Sequence, residues 1–145
     1  MISIKEIKEA IEETNLGPSF FHLAPKAFYD KEETKIEYLS NPDYYEYYKL
    51  MNENFDASES RVSKILGNSS RYIPIVVFID NNDIALTYSE LYKDKELGEA
   101  IEHGFKEFKS MLINKGLLED FFDFRDKFIL TRAIIFCNEN NIDYN

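Results

Sequence analysis

Cysteine, histidine, glycine and proline are all scarce in this sequence, whose 145 residues include one, two, five and four of them, respectively. A single cysteine excludes an internal disulfide, and Cys137 follows an apolar run in which we expect a buried thiol. So few glycines and prolines are typical of a helix-rich chain rather than an all-β one. We therefore expect mostly helix and a reducing compartment.

Long hydrophobic runs are also missing. The longest extends from Tyr72 to Ile79 and is far too short to cross a bilayer. Between Met1 and Glu13, charges occur at nearly every third position, a pattern typical of neither a signal peptide nor a membrane span. Together with the single thiol, these features favour a cytoplasmic protein.

No basic cluster interrupts the acidic character of the chain. It has 27 acidic and 17 basic residues, which gives a formal net charge of −10. Because neutralisation of phosphates supplies most of the non-specific affinity for nucleic acids, direct binding to DNA or RNA is disfavoured. A basic protein partner is compatible with this charge, and so is a purely solubilising role of the acidic residues.

Apolar and aromatic residues, in contrast, are plentiful. Apolar residues make up 44% of the chain, which contains 12 Phe and 10 Tyr. This is enough to bury a Phe-rich core at a length typical of one domain. We therefore predict a single globular domain over residues 1–145, of the α+β class and mostly helical, with a small antiparallel sheet packed by long C-terminal helices.

Local signals predict three helices in the N-terminal half. Ser3 and Glu6 form a capping box ahead of isoleucines at helical spacing, which predicts a helix from Ile4 to Thr14 that Gly17 and Pro18 end. Residues 19–30 show no clear period, and we expect them to be irregular.

The next helix signal is the Asn-Pro-Asp sequence at residues 41–43, which predicts a helix running to about Asn54. Residues 34–39 before it fit either a short edge strand or a continuation into that helix. Asp56 and Glu59 offer another capping box, ahead of a short third helix.

A β-hairpin is predicted at the centre of the sheet. The segment from Tyr72 to Ile79 is continuously β-branched or aromatic apart from a proline, as in a strand covered on both faces. Residues 80–83 have turn chemistry, and apolar residues alternate from Ile84 to Tyr88 as in a second strand.

Two long helices complete the chain. Apolar residues recur at spacings of three and four between Asp94 and Asn114, and Gly116 is the expected terminator of this helix. The last helix should extend from Leu117 to about Glu139. We expect its second half to be buried, because it is apolar nearly all round.

No motif for catalysis, metal binding or cofactor binding is recognisable. His22 and His103 are far apart, and no Ser or Cys lies in a nucleophile setting. Glu99 and His103 share a helical face, but a third ligand at suitable spacing is missing. The aspartates at every third position from Asp120 to Asp126 fit a solvated face better than a two-metal site. No glycine belongs to a phosphate-binding loop, so we predict no catalytic residue, no metal ligand and no cofactor.

The most unusual segment extends from Pro42 to Phe55 and carries four tyrosines within five residues, flanked by acids. The four tyrosines cannot all face the core. Either they form a binding surface, or two lie in the core and two on an ordinary solvent-exposed surface. Tyrosine is enriched at protein interfaces, where it offers a large rigid surface and a hydroxyl, and acids beside it would pair with basic groups of a partner. The predicted partner-binding residues are Asp43, Tyr44, Tyr45, Glu46, Tyr47, Tyr48, Glu53 and Asp56.

These features favour a small acidic binding protein that inhibits a basic protein partner. An immunity protein or antitoxin that occludes a bacterial nuclease toxin is a protein of this kind. Two alternatives stay open: a phage or plasmid anti-defence inhibitor whose acidic surface imitates nucleic acid, and a small enzyme with an unfamiliar site.

Overall fold

The computed structural model describes residues 1–14 and 24–145, and within them it has seven helices and three strands. In chain order they are α1 (Ile4–Thr14), β1 (Ala27–Asp30), β2 (Lys35–Tyr38), α2 (Asn41–Asn52), α3 (Arg61–Leu66), β3 (Tyr72–Pro74), α4 (Asn81–Leu91), α5 (Lys95–Glu102), α6 (Phe105–Lys115) and α7 (Leu118–Glu139). The prediction of a mostly helical α+β protein with a small antiparallel sheet is confirmed.

The chain divides into two compact units. The first comprises Met1–Phe78 and Ala133–Asn145, and the second comprises Ile79–Arg132. Helix α7 contributes residues to both. The organisation of residues 1–145 as one globular domain stays a prediction.

The first unit is built around a sheet of three strands in the order β2-β1-β3, all antiparallel. Tyr29 on the central strand lies opposite Ile36 of β2 and Ile73 of β3. All four residues of β1 are buried, as expected for a central strand covered on both faces. Residues 35–38 are therefore a strand, which decides between the two alternatives for residues 34–39.

The two faces of β1 have different surroundings, because successive side chains of a strand point to opposite faces. Phe28 belongs to a buried cluster that includes Tyr44 of α2 and Val62 and Ile65 of α3. The next residue, Tyr29, faces the other way and lines a cavity together with residue 138 and residues 140–144. The sheet thus positions α2 on one face and a cavity on the other.

Helix α1 has the predicted bounds. The backbone N–H of Ser3 donates to Glu6 Oε2 at 3.1 Å, while Ser3 Oγ accepts from the backbone N–H of Lys5 at 3.2 Å. The apolar stripe buries Ile7, Ala10 and Ile11. The predicted irregular stretch over residues 19–30 is wrong at its end, because Ala27–Asp30 form strand β1. The helix stop at Gly17 and Pro18, residues 19–23 of that stretch and His22 lie outside the described residues.

The predicted hairpin is wrong, although a small antiparallel sheet exists. The first strand of the predicted hairpin is shorter than expected: only Tyr72–Pro74 form a strand, β3, and it pairs with β1. Residues 84–88, the predicted second strand, belong to helix α4. Asp80 is the N-cap of α4, and its side chain accepts from the backbone N–H of Asn82 at 2.8 Å. An aspartate at a helix start and an aspartate in a turn use the same hydrogen bond, so the turn chemistry was ambiguous. The buried residues of α4 are Ile84, Ala85, Tyr88 and Ser89, at helical spacing.

The predicted helix from Asp94 to Asn114 is two helices, α5 and α6. Asp94 caps α5 and accepts from the backbone N–H of Leu97 at 3.2 Å. The break lies at His103 and Gly104, and Gly104 has φ 111°, which a side chain rarely tolerates. The expected terminator is confirmed, because Gly116 ends α6 in the left-handed conformation.

The second unit has a core of aromatic rings. Phe121 of α7 contacts Tyr88 at 5.2 Å and Phe108 at 5.1 Å between ring centroids, in edge-to-face geometry. The Tyr88 hydroxyl donates to Asp120 Oδ2 at 2.7 Å, so its polar group is satisfied. The Phe-rich core that the sequence predicts is found in this unit.

Helix α7 begins one residue after the predicted start and ends at the predicted residue. Cys137 is buried and its thiol is free, as expected. The second half of the helix is only partly covered, since Ile135 is exposed. No helix within residues 1–14 and 24–145 has an apolar stretch long enough to cross a membrane.

Candidate partner-binding surface

Helix α2, which carries the tyrosine cluster, is fixed at its start by a capping box. Ser40 is the N-cap: its Oγ accepts from the backbone N–H of Asp43 at 3.3 Å, and its own backbone N–H donates to Asp43 Oδ2 at 2.7 Å. Pro42 lies in the first turn, where its missing N–H costs nothing. The Asn-Pro-Asp signal predicts Asn41 as the cap and Pro42 as the first helical residue, but Ser40 is the cap and the helix begins one residue earlier, at Asn41. It ends at Asn52, two residues before the predicted end.

The carboxylate of Asp43 is already engaged in contacts within the chain. Besides Ser40, it contacts Arg61 of α3, whose Nη1 lies 3.4 Å from Asp43 Oδ2 and whose Nη2 lies 2.7 Å from Glu37 Oε2. Burial favours the neutral form of Asp43, but the hydrogen bonds from Ser40 and the charge of Arg61 outweigh it and lower its pKa. Asp43 therefore fixes the position of α2, with little capacity left for a partner.

The next helix, α3, has a different cap from the one predicted. Ser60 is its N-cap and accepts from the backbone N–H of Ser63 at 3.1 Å. Asp56 instead accepts from the backbone N–H of Ser58 at 2.9 Å, so the capping box of Asp56 and Glu59 is wrong. This local turn keeps Asp56 exposed near the end of α2.

The four tyrosines divide between the core and the surface. Tyr44 is 1% exposed, packs in the cluster with Phe28 and donates its hydroxyl to the carbonyl oxygen of Pro25. Burial raises the pKa of Tyr44 to about 12. Tyr47 is half-buried against the same cluster. The assignment of Tyr44 to a partner-binding surface is therefore corrected, because its side chain already serves the core.

Four large side chains remain exposed along and just beyond α2, and we call them the α2 strip: Tyr45 (65% exposed), Tyr48 (42%), Met51 (51%) and Phe55 (62%). The ring of Tyr48 is held in place by Tyr44 and Tyr47, whose ring centroids lie 6.4 Å and 5.3 Å away. The strip is apolar and partly pre-ordered, as anchor residues of protein interfaces are.

Acidic side chains flank the α2 strip. Glu46 and Glu53 are exposed, and neither forms an ion pair with any described residue. This distinguishes them from Asp43, and from Asp30 on β1, whose carboxylate is paired with Arg71. Lys49 is the one basic residue of α2. Lys49 offsets one of these charges without forming an ion pair with a described residue, so the net charge beside the strip stays negative.

The structure brings together only part of the predicted site. Tyr45, Glu46 and Tyr48 are exposed on α2 and Glu53 is exposed at its C-cap, whereas Asp43 contacts Arg61 of α3. Met51 and Phe55 were missing from the predicted set. Met51 lies one helical turn after Tyr48, which the spacing of three residues indicates, whereas Phe55 lies beyond the helix, after Asn54 with φ 60°.

Among residues 1–14 and 24–145, the other chemistry-bearing side chains do not assemble into a site. His103 is exposed at the C-cap of α5. Asp120 accepts the hydrogen bond of the buried Tyr88 hydroxyl. In the part of the chain that the structure describes, no group of three or more His, Cys, Asp or Glu side chains is placed to hold a metal ion.

Comparison with known protein families, characterised proteins and solved structures finds no match to this chain. A functional proposal therefore depends on the geometry of the surface itself.

Proposed function

We propose that this protein is a small binding protein that inhibits a basic protein partner, and that the partner is a nuclease-type toxin domain which it neutralises in the cytoplasm as an immunity protein. The observation that carries the proposal is the α2 strip, flanked by Glu46 and Glu53. It supports a partner with an apolar pocket surrounded by Lys or Arg side chains. The interaction needs no cofactor.

Apolar side chains of the α2 strip would be covered by a bound partner. Covering Tyr45, Met51 and Phe55, each more than half exposed, would remove a large apolar area from water. Tyr and Met are enriched at the centres of interfaces, where a few such side chains supply most of the affinity. The contacts of Tyr48 with its neighbours lower the entropy cost of fixing it on binding.

The charge of this surface determines which class of partner it attracts. Glu46 and Glu53 have no cation of their own among the described residues, and the whole chain has a net charge of −10. Such a surface attracts a basic protein at long range and disfavours an acidic one. A nuclease must expose basic side chains to bind phosphates, and an acidic protein lying over them would exclude the substrate.

The first experiment maps the surface. A photo-crosslinking amino acid is placed at Tyr45 in the α2 strip and, as a matched control, at Leu91, which is equally exposed at 65% but lies in the second unit. We expect a covalent adduct with a basic protein in host cells from position 45 and not from position 91. The adduct is then identified by mass spectrometry, and the partner is purified.

Reconstitution with the purified partner tests the energetics and the inhibition. Tyr45→Ala should weaken binding by more than about 1 kcal/mol in isothermal titration calorimetry, as interface anchors do, and should weaken inhibition in parallel. Leu91→Ala should change neither. An acidic partner, or a partner whose activity is unaffected by the bound chain, would contradict the proposal.

A double variant separates this proposal from imitation of nucleic acid. We expect Glu46→Gln with Glu53→Gln to weaken binding and to act together with Tyr45→Ala. If the double variant abolished binding while Tyr45→Ala had no effect, only the charge would matter. Imitation of nucleic acid would then replace an aromatic-anchored interface.

A further inference from the structure

A cavity of about 840 Å³ lies in the first unit, beside the sheet face opposite α2. It is lined by Tyr29 of β1, by Lys31 and Thr34 of the turn that follows, and by residues from the end of α7 to Tyr144. Its volume is within the range of small-molecule sites. The cavity does not involve the α2 strip.

The hydroxyl of Tyr29 points into this cavity without a partner. Tyr29 is only 6% exposed, yet its hydroxyl forms no hydrogen bond with a described residue. No side-chain nitrogen or oxygen atom of residues 1–14 and 24–145 is fully buried without a partner, so this hydroxyl must reach the open space of the cavity. A buried tyrosine normally satisfies its hydroxyl within the protein, and one that offers it to a cavity is placed to bind a ligand.

Two opposite charges line the same cavity without pairing. Lys31 and Asp143 both contribute to its wall, but neither forms an ion pair with the other or with another described residue. The ammonium and the carboxylate are therefore more than 4.0 Å apart. A ligand that carries both an ammonium and a carboxylate group offers a partner of opposite charge to each.

The remaining wall combines the apolar side chains of Met1 and Ile142 with polar ones, and part of its backbone is strained. Asn138 and Asn141 contribute amides, which both donate and accept hydrogen bonds. Thr34 and Asn141 adopt positive φ angles of 50° and 55°, which is unusual for a β-branched residue such as threonine. Strained backbone of this kind is concentrated at ligand sites.

We propose that this cavity binds a free α-amino acid, with Lys31 contacting the carboxylate, Asp143 contacting the ammonium group and the Tyr29 hydroxyl completing the recognition. The asparagine amides favour a polar side chain on the ligand. Burial, followed by the nearby charge of Asp143, raises the pKa of Tyr29. Its hydroxyl therefore stays protonated at neutral pH and can donate to the ligand.

The test uses the full chain and the proteinogenic L-α-amino acids, each added at up to about 10 mM and followed by chemical shifts of the backbone amides. We expect at least one amino acid to shift the amides of Tyr29 and Asn141. For that amino acid, the α-amide lacks the carboxylate charge and the N-acetyl derivative lacks the ammonium charge. Each should bind at least about tenfold more weakly in calorimetry.

Variants assign each charge to its residue. Lys31→Met should remove the discrimination against the α-amide, and Asp143→Asn should remove the discrimination against the N-acetyl derivative. Tyr29→Phe should weaken all three ligands alike, while Lys106→Met, an exposed lysine of the second unit, should change nothing. Circular dichroism confirms that each variant is folded.

The absence of binding by every amino acid at about 10 mM would overturn the proposal. Equal binding of the amino acid and its two derivatives would also overturn it, because the charges would then play no part. Tyr45→Ala should leave amino-acid binding unchanged, so this test is independent of the proposed interface.

Discussion

Asp30 is a charged residue in the interior of the first unit, and its environment explains how the charge is retained. Its side chain is fully buried, and both oxygens accept from Arg71 at 2.9 Å, one from Nε and one from Nη2. The backbone N–H groups of Glu32 and Glu33 also donate to Oδ1. These hydrogen bonds, the Arg71 contact above all, lower the pKa of Asp30 although burial acts in the opposite direction.

The depressed pKa of Asp30 predicts a pH-dependent contribution to stability. Because the carboxyl loses its proton more readily in the folded than in the unfolded chain, its contribution is complete above the unfolded-state pKa of about 4 and is lost as the pH falls through the folded-state value. Asp30→Asn should therefore be less stable than the natural chain at pH 7, and the difference should shrink by pH 3. Urea unfolding at the two pH values measures it.

A control for this prediction is Asp123→Asn, which alters an exposed aspartate of α7. Its effect on the free energy of unfolding should be small at both pH values. A difference between Asp30→Asn and the natural chain that stayed constant from pH 7 to pH 3 would show that Asp30 does not titrate with folding.

Residue-level roles were the least predictable feature of the sequence. Tyr44 and Tyr45 are identical neighbours, yet one is core and the other is surface. The difference is set by Phe28 and Val62, which are distant in sequence. Likewise, Asp30 and Arg71 are 41 positions apart, so no local pattern joins them.

At the level of elements, prediction succeeded where the signals were local and agreed with one another. In α1 the capping box and the apolar stripe indicate the same helix, and the described helix, Ile4–Thr14, agrees with the prediction. Prediction failed at residues 80–88, where aspartates suit a cap and a turn equally. The strand partner of β3 is β1, which lies more than 40 residues earlier in the sequence. A hairpin pattern joins only strands that are adjacent in sequence, so it does not indicate this pairing.

The break between α5 and α6 provides a matched pair of glycine substitutions. Gly104 has φ 111°, and no atom lies within 4 Å of the place that a Cβ would occupy, so alanine there would meet only backbone strain. Gly98 lies within α5, and a Cβ would approach Ser89 Oγ at an ordinary 3.8 Å. We expect Gly104→Ala to lower the free energy of unfolding by about 1–3 kcal/mol and Gly98→Ala to raise it by about 0.5–1 kcal/mol.

Urea unfolding of the two variants checks the pair under identical conditions. Effects of the same sign would show that the conformation at residue 104 is not what separates the helices. A long helix through residues 94–114, as the sequence pattern predicts, would then compete with the observed break.

At the level of the whole molecule, the sequence predicted the amount of charge but not where it is neutralised. Arg61 compensates Glu37 and Asp43, and Arg71 compensates Asp30 and Glu32. These pairs join separate elements, so the sequence alone does not reveal them. The acids beside the α2 strip are left uncompensated among the described residues, and there the net charge of −10 can act on a partner.

Charge and aromatic anchors should affect different rates of the proposed complex. Raising NaCl from about 50 to about 500 mM should slow association with the basic partner at least about tenfold, because salt screens long-range attraction, while dissociation changes little. Tyr45→Ala should do the reverse and accelerate dissociation, because short-range packing holds the complex together. Surface plasmon resonance measures both rates. Salt acting on dissociation alone would place the decisive charges inside the contact rather than around it.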